Sequence, residues 1–410
     1  MRADGRLVVV GRNGAQLFFC FAGSALLNVL SPSFFARAAA GDKDAWLSAT
    51  LLAGTVASAL GVPAAQRLGL PGRPRLAGVG LVVSASTLLV ATLFVGSPLA
   101  FAVLSVSLRF LLQYGTHELD RRAVLLSGAG ARRRNDAVGL AMRFGGMLLG
   151  PLWFGLARDR TGPLLVVIGL LTALAAGNAH LVGSAPSAPA VSTVAASPGL
   201  DRGARWLLWG SRAIYAAYYL LASSIIYVLT DVHGVGSAVR RGGVIVTLVY
   251  GCAIVTTLAA QALGRAPRRS PLDMLATTAT LVLVGLALPW GASPWAQGAG
   301  AVLLGAAFAR FQMTFRDRAT HDAVHRGAPA LLAAYNNLGT TSALLGYAVM
   351  VALVGLSRLL GLSYASLVGL GVAALGAVAT PLVVGAERAT FGAPASPPAD
   401  PPPPGPDPAP

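Results

Sequence analysis

Residues 364–385 read YASLVGLGVAALGAVATPLVVG, twenty-two consecutive positions without Asp, Glu, Lys, Arg or His. As a helix this stretch rises about 33 Å, enough to cross the roughly 30 Å hydrocarbon core of a bilayer. Runs of the same kind recur from Leu17 to Val384, separated by short Arg-rich connections. Hydrophobic residues make up 55% of the 410 and charged residues 11%. A water-soluble domain does not repeat such runs a dozen times. The lipid bilayer is therefore the solvent, and only helices satisfy their own backbone there as single segments. The chain reads as an all-α polytopic membrane protein. Twelve spans are predicted, at 14–36, 46–65, 76–95, 98–116, 137–157, 162–183, 206–230, 243–263, 272–291, 296–315, 329–355 and 364–385.

Residues 184–204, rich in Ser, Ala and Pro, are the one long polar interruption. Such composition suits a flexible linker. It divides a six-helix unit over 1–183 from a second over 205–387, and a Pro-rich tail over 388–410 reads as disordered. The halves echo each other. Arg109-Phe110 returns as Arg310-Phe311, Thr116-His117-Glu118 as Thr320-His321-Asp322, and Leu148-Leu149-Gly150 as Leu344-Leu345-Gly346. Three matches in one order point to two pseudo-symmetric six-helix bundles, a plan that puts a solute site between the halves.

The net charge of +16 follows from topology rather than from a nucleic-acid partner. With both termini cytoplasmic, inner segments hold 20 of the 31 Lys and Arg residues and outer loops hold seven. That bias orients the chain N-in and C-in. Cys20 and Cys252 both fall in apolar spans, so no disulfide framework is expected. The first apolar run is read as a retained span. Thirty Arg against one Lys, with abundant Ala and Gly, points to a GC-rich bacterial genome and hence to a bacterial inner membrane.

Three motifs then resemble a known family. The loop between spans 2 and 3 runs Gly61-Val62-Pro63-Ala64-Ala65-Gln66-Arg67-Leu68-Gly69 and continues to Gly72-Arg73-Pro74-Arg75. It is similar to a G-x-x-x-D-R-x-G-R-[RK] loop, with Gln66 standing where that pattern has Asp. Span 4 carries Arg109-Phe110-Leu111-Leu112-Gln113-Tyr114-Gly115, and span 5 carries Gly146-Met147-Leu148-Leu149-Gly150-Pro151. With the 6+6 arrangement, these resemble the major facilitator superfamily. The resemblance implies alternating access by two rocking bundles and a cavity lined by spans 1, 4, 7 and 10. It also implies a gating role for Gly61, Arg67, Gly69 and Arg73. The span 5 glycines with Pro151 match a pattern of that family's antiporters. Read from the residues alone, Gly146 and Gly150 share a helix face and permit close helix approach.

The polar groups inside the bilayer are the candidate site, because each is costly there unless it faces a cavity or a partner. Arg109 lies near mid-span 4 with Gln113 one turn on; Arg310 lies in span 10 near Gln312. Under the resemblance the two arginines face each other and form a guanidinium fork for a carboxylate or phosphate. The alternative is that each bonds backbone carbonyls or a neighbouring helix. Tyr215, Tyr218 and Tyr219 in span 7 suit either a cavity wall or packing. Asn28, Asn336 and Asn337 are further candidates, with interhelical hydrogen bonding as the alternative. Arg143 is expected to snorkel to the inner interface. His117, Glu118 and Asp120, with His321 and Asp322, read as inner-gate latches or as solvated loops. No metal site and no cofactor are expected, and no P-loop or H-E-x-x-H pattern supports an enzyme.

No carboxylate falls mid-span, which favours anion exchange or facilitated diffusion over proton relay. The expected function is therefore secondary transport of a small organic, anionic solute by a monomer. Proton-coupled efflux of a drug-like metabolite is the alternative, and a non-transporting sensor or scaffold of this fold is another. The charge bias is tested by fusions. Green fluorescent protein fused after Pro410 should fluoresce and alkaline phosphatase there should be inactive, with the reverse after Gly236.

Overall fold

The computed structural model describes residues 14, 17, 20–21, 31–39, 41–67, 96–107, 109–110, 142–150, 152, 202–262, 271–288, 291–325 and 338–391. Every regular element among them is helical. In chain order these are α1 (Ser31–Ala38), α2 (Lys43–Arg67), α3 (Pro98–Ser107), α4 (142–150) and α5 (Arg202–Tyr227). They continue with α6 (Ala238–Ala262), α7 (Pro271–Ala287), α8 (Pro294–His325), α9 (Leu338–Leu360) and α10 (Tyr364–Phe391). Gly14, Leu17, Cys20 and Phe21 are also helical and belong to predicted span 1. Among the described residues four helices are both long and apolar enough to cross a bilayer: Arg202–Val232, Ala238–Ala260, Leu338–Leu360 and Tyr364–Ala389. Linker residues 184–201 and the third and sixth spans lie outside the described residues, while 202–204, read from the sequence as the end of the linker, form the first turn of α5.

Local chemistry sets the helix ends. Pro271 opens α7, where its missing N–H would have no intrahelical partner. The same helix stops at Ala287, short of the predicted 291, because Pro289 disfavours helical backbone before it. Gly361 ends α9 at φ 65°, and the Leu362 N–H donates to the Ser357 carbonyl at 3.0 Å, the Schellman closure. Helix α8 runs to His325 rather than ending at 315, since no Gly or Pro interrupts it before Gly327. Thr320-His321-Asp322 are thus part of a helix that outruns the membrane, not of a loop. Likewise α10 continues to Phe391, past the predicted start of the tail at 388.

Helix α5 is the hub of the C-terminal group, packing against α10, α9 and α6. Its buried positions run almost without break from Leu207 to Leu229, so it has no wide lipid-facing stripe. Small residues let backbones touch. A methyl at Gly285 in α7 would fall 2.6 Å from the Gly369 carbonyl oxygen of α10, and one at Gly346 in α9 would fall 2.8 Å from the Ala216 carbonyl of α5. Gly146 of α4 packs just as closely on the Leu17 carbonyl and Cys20, so this half of the Gly-Pro motif is a helix-packing contact.

Two kinds of contact join the sequence halves. Helix α2 packs along α9. Helix α4 meets α6 through Leu148 and Gly251, and α8 through the edge-to-face rings of Phe144 and Phe308, 6.3 Å apart. Among the described residues, one end of the molecule carries Arg37, Lys43, Arg240, Arg241 and Arg358; it is called the Arg-poor end below. At the Arg-poor end Phe34 stacks on Phe101 at 4.1 Å, and Phe35 meets both Phe101 and Trp46, fixing α1, α2 and α3 together. Replacing Gly285 with Val should cost about 1–3 kcal/mol of overpacking. A lower melting temperature in detergent, with Ala at 285 intermediate, is the expected readout.

Candidate functional site

Arg109, at the end of the described part of span 4, is held at the seam between the halves. Its Nη1 donates to the Leu51 carbonyl and to Thr55 Oγ1 of α2, both at 2.8 Å. Ser58 Oγ donates to the Arg109 carbonyl at 3.3 Å. Gly54 makes room: a methyl there would meet the Arg109 Cδ at 2.5 Å. From the other half the Tyr347 ring of α9 lies under the guanidinium, 5.6 Å from its carbon to the ring centroid.

Around it the structure gathers phenols. The close approach of Gly346 to Ala216 brings Tyr219 of α5 to Tyr347, with ring centroids 6.0 Å apart. Tyr219 lies within electrostatic reach of Tyr347, Cys20, Arg109 and Arg143. Tyr250 of α6 is within reach of Tyr219, Cys20 and Tyr347. The Tyr347 hydroxyl is buried and has no hydrogen-bond partner among the described residues. Spans 1, 4, 5, 7, 8 and 11 therefore converge on one cluster of three phenols, a thiol and two guanidinium groups. No carboxylate acts on Tyr219 among the described residues.

The expected arginine fork is not formed. Arg310 pairs with Asp273 of α7, Nη2 to Oδ1 at 2.6 Å, and its side chain is 61% exposed. Thr314 Oγ1 donates to the second oxygen of Asp273 at 3.2 Å, so the pair ties α8 to α7. Asp273, in the first turn of α7, supplies the countercharge that keeps Arg310 away from the seam. Gln312, two residues on, points to the buried side of α8. Arg143, at the start of α4, lies within electrostatic reach of Tyr219. Arg212 stacks on Trp209 at 4.6 Å as an interface belt would have it, and its Nε donates to Thr341 Oγ1 at 3.3 Å.

The span 7 tyrosines divide. Tyr215 packs edge-to-face on Phe308 and Phe311 of α8, with centroids 5.3 and 5.4 Å away. Tyr218 donates its hydroxyl to the Leu304 carbonyl at 2.7 Å and tilts against Phe308. Tyr218 also lines a cavity of about 130 Å³ within the C-terminal group, walled by Ile225, Val246, Tyr250 and Leu304. Tyr219 is the one of the three within electrostatic reach of Arg109 among the described contacts. Gly150 is buried; Gly61 and Arg67 lie in α2, and His321 and Asp322 in α8, with side chains outside the description. Asn28, Gly69, Arg73, Gln113, His117, Glu118, Asp120, Pro151, Asn336 and Asn337 lie outside the described residues. No group of metal-ligating side chains occurs among those described.

Tyr250 and Tyr347 were missed by sequence reasoning. The available signal was a phenol deep in an apolar span, the same signal that picked out Tyr219.

No protein-family model and no curated protein matches the sequence. Solved structures do match in shape. The nucleoside transporter NupG superposes with a TM-score of 0.67 at 15% identity, covering 94% of this chain and 99% of that one. A D-xylose-proton symporter superposes with a TM-score of 0.67 at 13% identity, covering 92% and 96%. The fold is that of the major facilitator transporters. With four bilayer-length helices among the described residues, the chain is a multi-pass membrane protein. In the major facilitator fold, the Arg109–Tyr219–Tyr250–Tyr347 cluster occupies the seam between the halves. Tyr347→Phe should leave the melting temperature unchanged or raise it, because it removes a buried hydroxyl without a partner. A fall in melting temperature would mean that the hydroxyl is bonded.

Proposed function

We propose that this protein is a secondary transporter, and that its solute is a small organic anion bound between Arg109 and the phenols of Tyr219, Tyr250 and Tyr347. The observation that carries this reading is the composition of the seam. Two guanidinium groups act on Tyr219 and no described carboxylate does. In a site shielded from water, such a cluster favours negative charge. Phenol faces accept a flat or ring-shaped solute, and phenol hydroxyls offer it hydrogen bonds. Tyr347 contributes from α9 while Arg109 is anchored on α2, so a solute between them touches both halves. A solute that does so can bias their relative position, which alternating access needs. The fold, shared with a nucleoside transporter and a D-xylose-proton symporter, supports transport as the class of activity. A bacterial inner membrane with cytoplasmic termini is the location proposed from the charge pattern.

The experiment is uptake into proteoliposomes against a panel of aromatic and aliphatic carboxylates, nucleosides and pentoses. Anionic members should be transported and neutral ones should not compete. Arg109→Ala should raise the KM for the transported anion at least tenfold, equivalent to about 1.4 kcal/mol. Arg310→Ala should leave that KM within twofold. Equal losses for both variants, or transport of the neutral members alone, would refute the anion reading.

A further inference from the structure

The Arg-poor end is bolted across the seam by charge. Lys43, the first residue of α2, bonds both oxygens of Asp231 at 2.7 Å. Asp231 lies in a π-helical turn, Val228–Val232, that prolongs α5. The Lys43 ammonium also lies over the Tyr227 ring at 4.9 Å. A second pair, Arg358 of α9 to Asp42 at 2.9 Å, spans the same seam but is well exposed. Exposed pairs contribute about 0–1 kcal/mol, so the more sheltered Lys43–Asp231 pair is the main bolt.

Between these pairs lies Asp44, in the first turn of α2 and outside the predicted span. Its Oδ1 is buried and has no hydrogen-bond partner. The charged groups facing it are Lys43 on its own helix, Asp231 on the π turn and Arg358 on α9; Tyr227 and Tyr364 complete the wall. A sheltered carboxylate oxygen without a donor is costly when ionised and cheap when neutral.

We propose that Asp44 is a proton-binding site that sets whether the Arg-poor end is latched: the closed end seats the neutral acid, and opening releases the proton to water. Burial pushes the Asp44 carboxyl up to about 6 from its ordinary 3.8, with Asp231 adding to the rise and Lys43 and Arg358 opposing it. The helix N-terminus opposes it too, so desolvation outweighs three favourable charges. The sign follows. In the open end Asp44 meets water and returns to the ordinary carboxylate range. Protons therefore bind the closed form more tightly. The closed-to-open ratio rises as pH falls through 6 and levels off below about 4, by up to about 100-fold. His233 also lies at this end, its Nε2 3.0 Å from the Leu288 carbonyl oxygen.

This inference rests on the transport reading only for its use in coupling; the titration belongs to the fold. Spin labels on cysteines placed at Gly41 and Gly236, both exposed with open space around them, report the gap across the seam. Distances are read by pulsed electron paramagnetic resonance in nanodiscs from pH 7.5 to 4.5, without solute. The short-distance population should grow with acid in the otherwise unchanged protein, by about sevenfold in ratio per pH unit at the steepest. Asp44→Asn should be closed at every pH, and His233→Gln should keep the titration. An Asp44→Asn variant that still titrates, a His233→Gln variant that does not, or acid-driven opening overturns the proposal. Should Asp44→Asn fail to give monodisperse protein, the parent and His233→Gln titrations decide alone: closure with acid in both supports it, and its absence in either refutes it. A protein that closes with acid yet moves no solute defeats the transport reading and leaves the proton site standing. Flux without pH-dependent closure does the reverse.

Discussion

A guanidinium group inside a bilayer must find its hydrogen-bond partners in protein, since lipid offers none. Arg109 meets this demand on α2, where Leu51 gives a carbonyl and Thr55 a hydroxyl, and on α9, where Tyr347 gives a π face. That one solution reaches across both halves. It requires Gly54 to stay small and α2 and α9 to stay close. Across the seam lie the Arg109–Tyr347 contact, the packing of α2 along α9 and apolar side chains, Leu148 on Gly251 and Phe144 on Phe308, while the closest glycine-to-backbone contacts lie within each half.

The second arginine of the internal repeat was solved differently. Asp273 stands within reach of Arg310, at a helix start where an acid is favoured. The repeat preserved an Arg-Phe pair in spans 4 and 10, but only one of the two guanidinium groups faces the other half. The phenylalanines also diverge in role, because Phe311 joins the aromatic stack of Tyr215, Phe308 and Phe315. The different placement of the two arginines goes with one nearby carboxylate, Asp273.

Charge is distributed by depth. At mid-membrane the described cluster is cationic and phenolic. The Arg-poor end balances Lys43, Arg358, Asp42 and Asp231, and encloses Asp44 among them. Ion pairs there cross from α2 to the α5 π turn and from the loop before α2 to α9. The sheltered carboxyl of Asp44 thus lies beside the ion pairs that cross between the sequence halves.

The sequence by itself determined the helical class, most of the span positions and the presence of Arg109 and Tyr219 within them. These follow from the length of apolar runs and from the rarity of polar groups in lipid, both of which are local properties of the chain. Tyr250 and Tyr347 were legible only as phenols in apolar runs, without any sign that they meet. The separation of Arg310 from Arg109 and the enclosure of Asp44 were decided by tertiary structure alone. Each depends on which face of a helix meets which neighbour, and that is settled by glycine contacts and ion pairs between segments up to 316 positions apart. Spacing along a chain fixes what can enter a membrane; packing across it fixes which groups share a site.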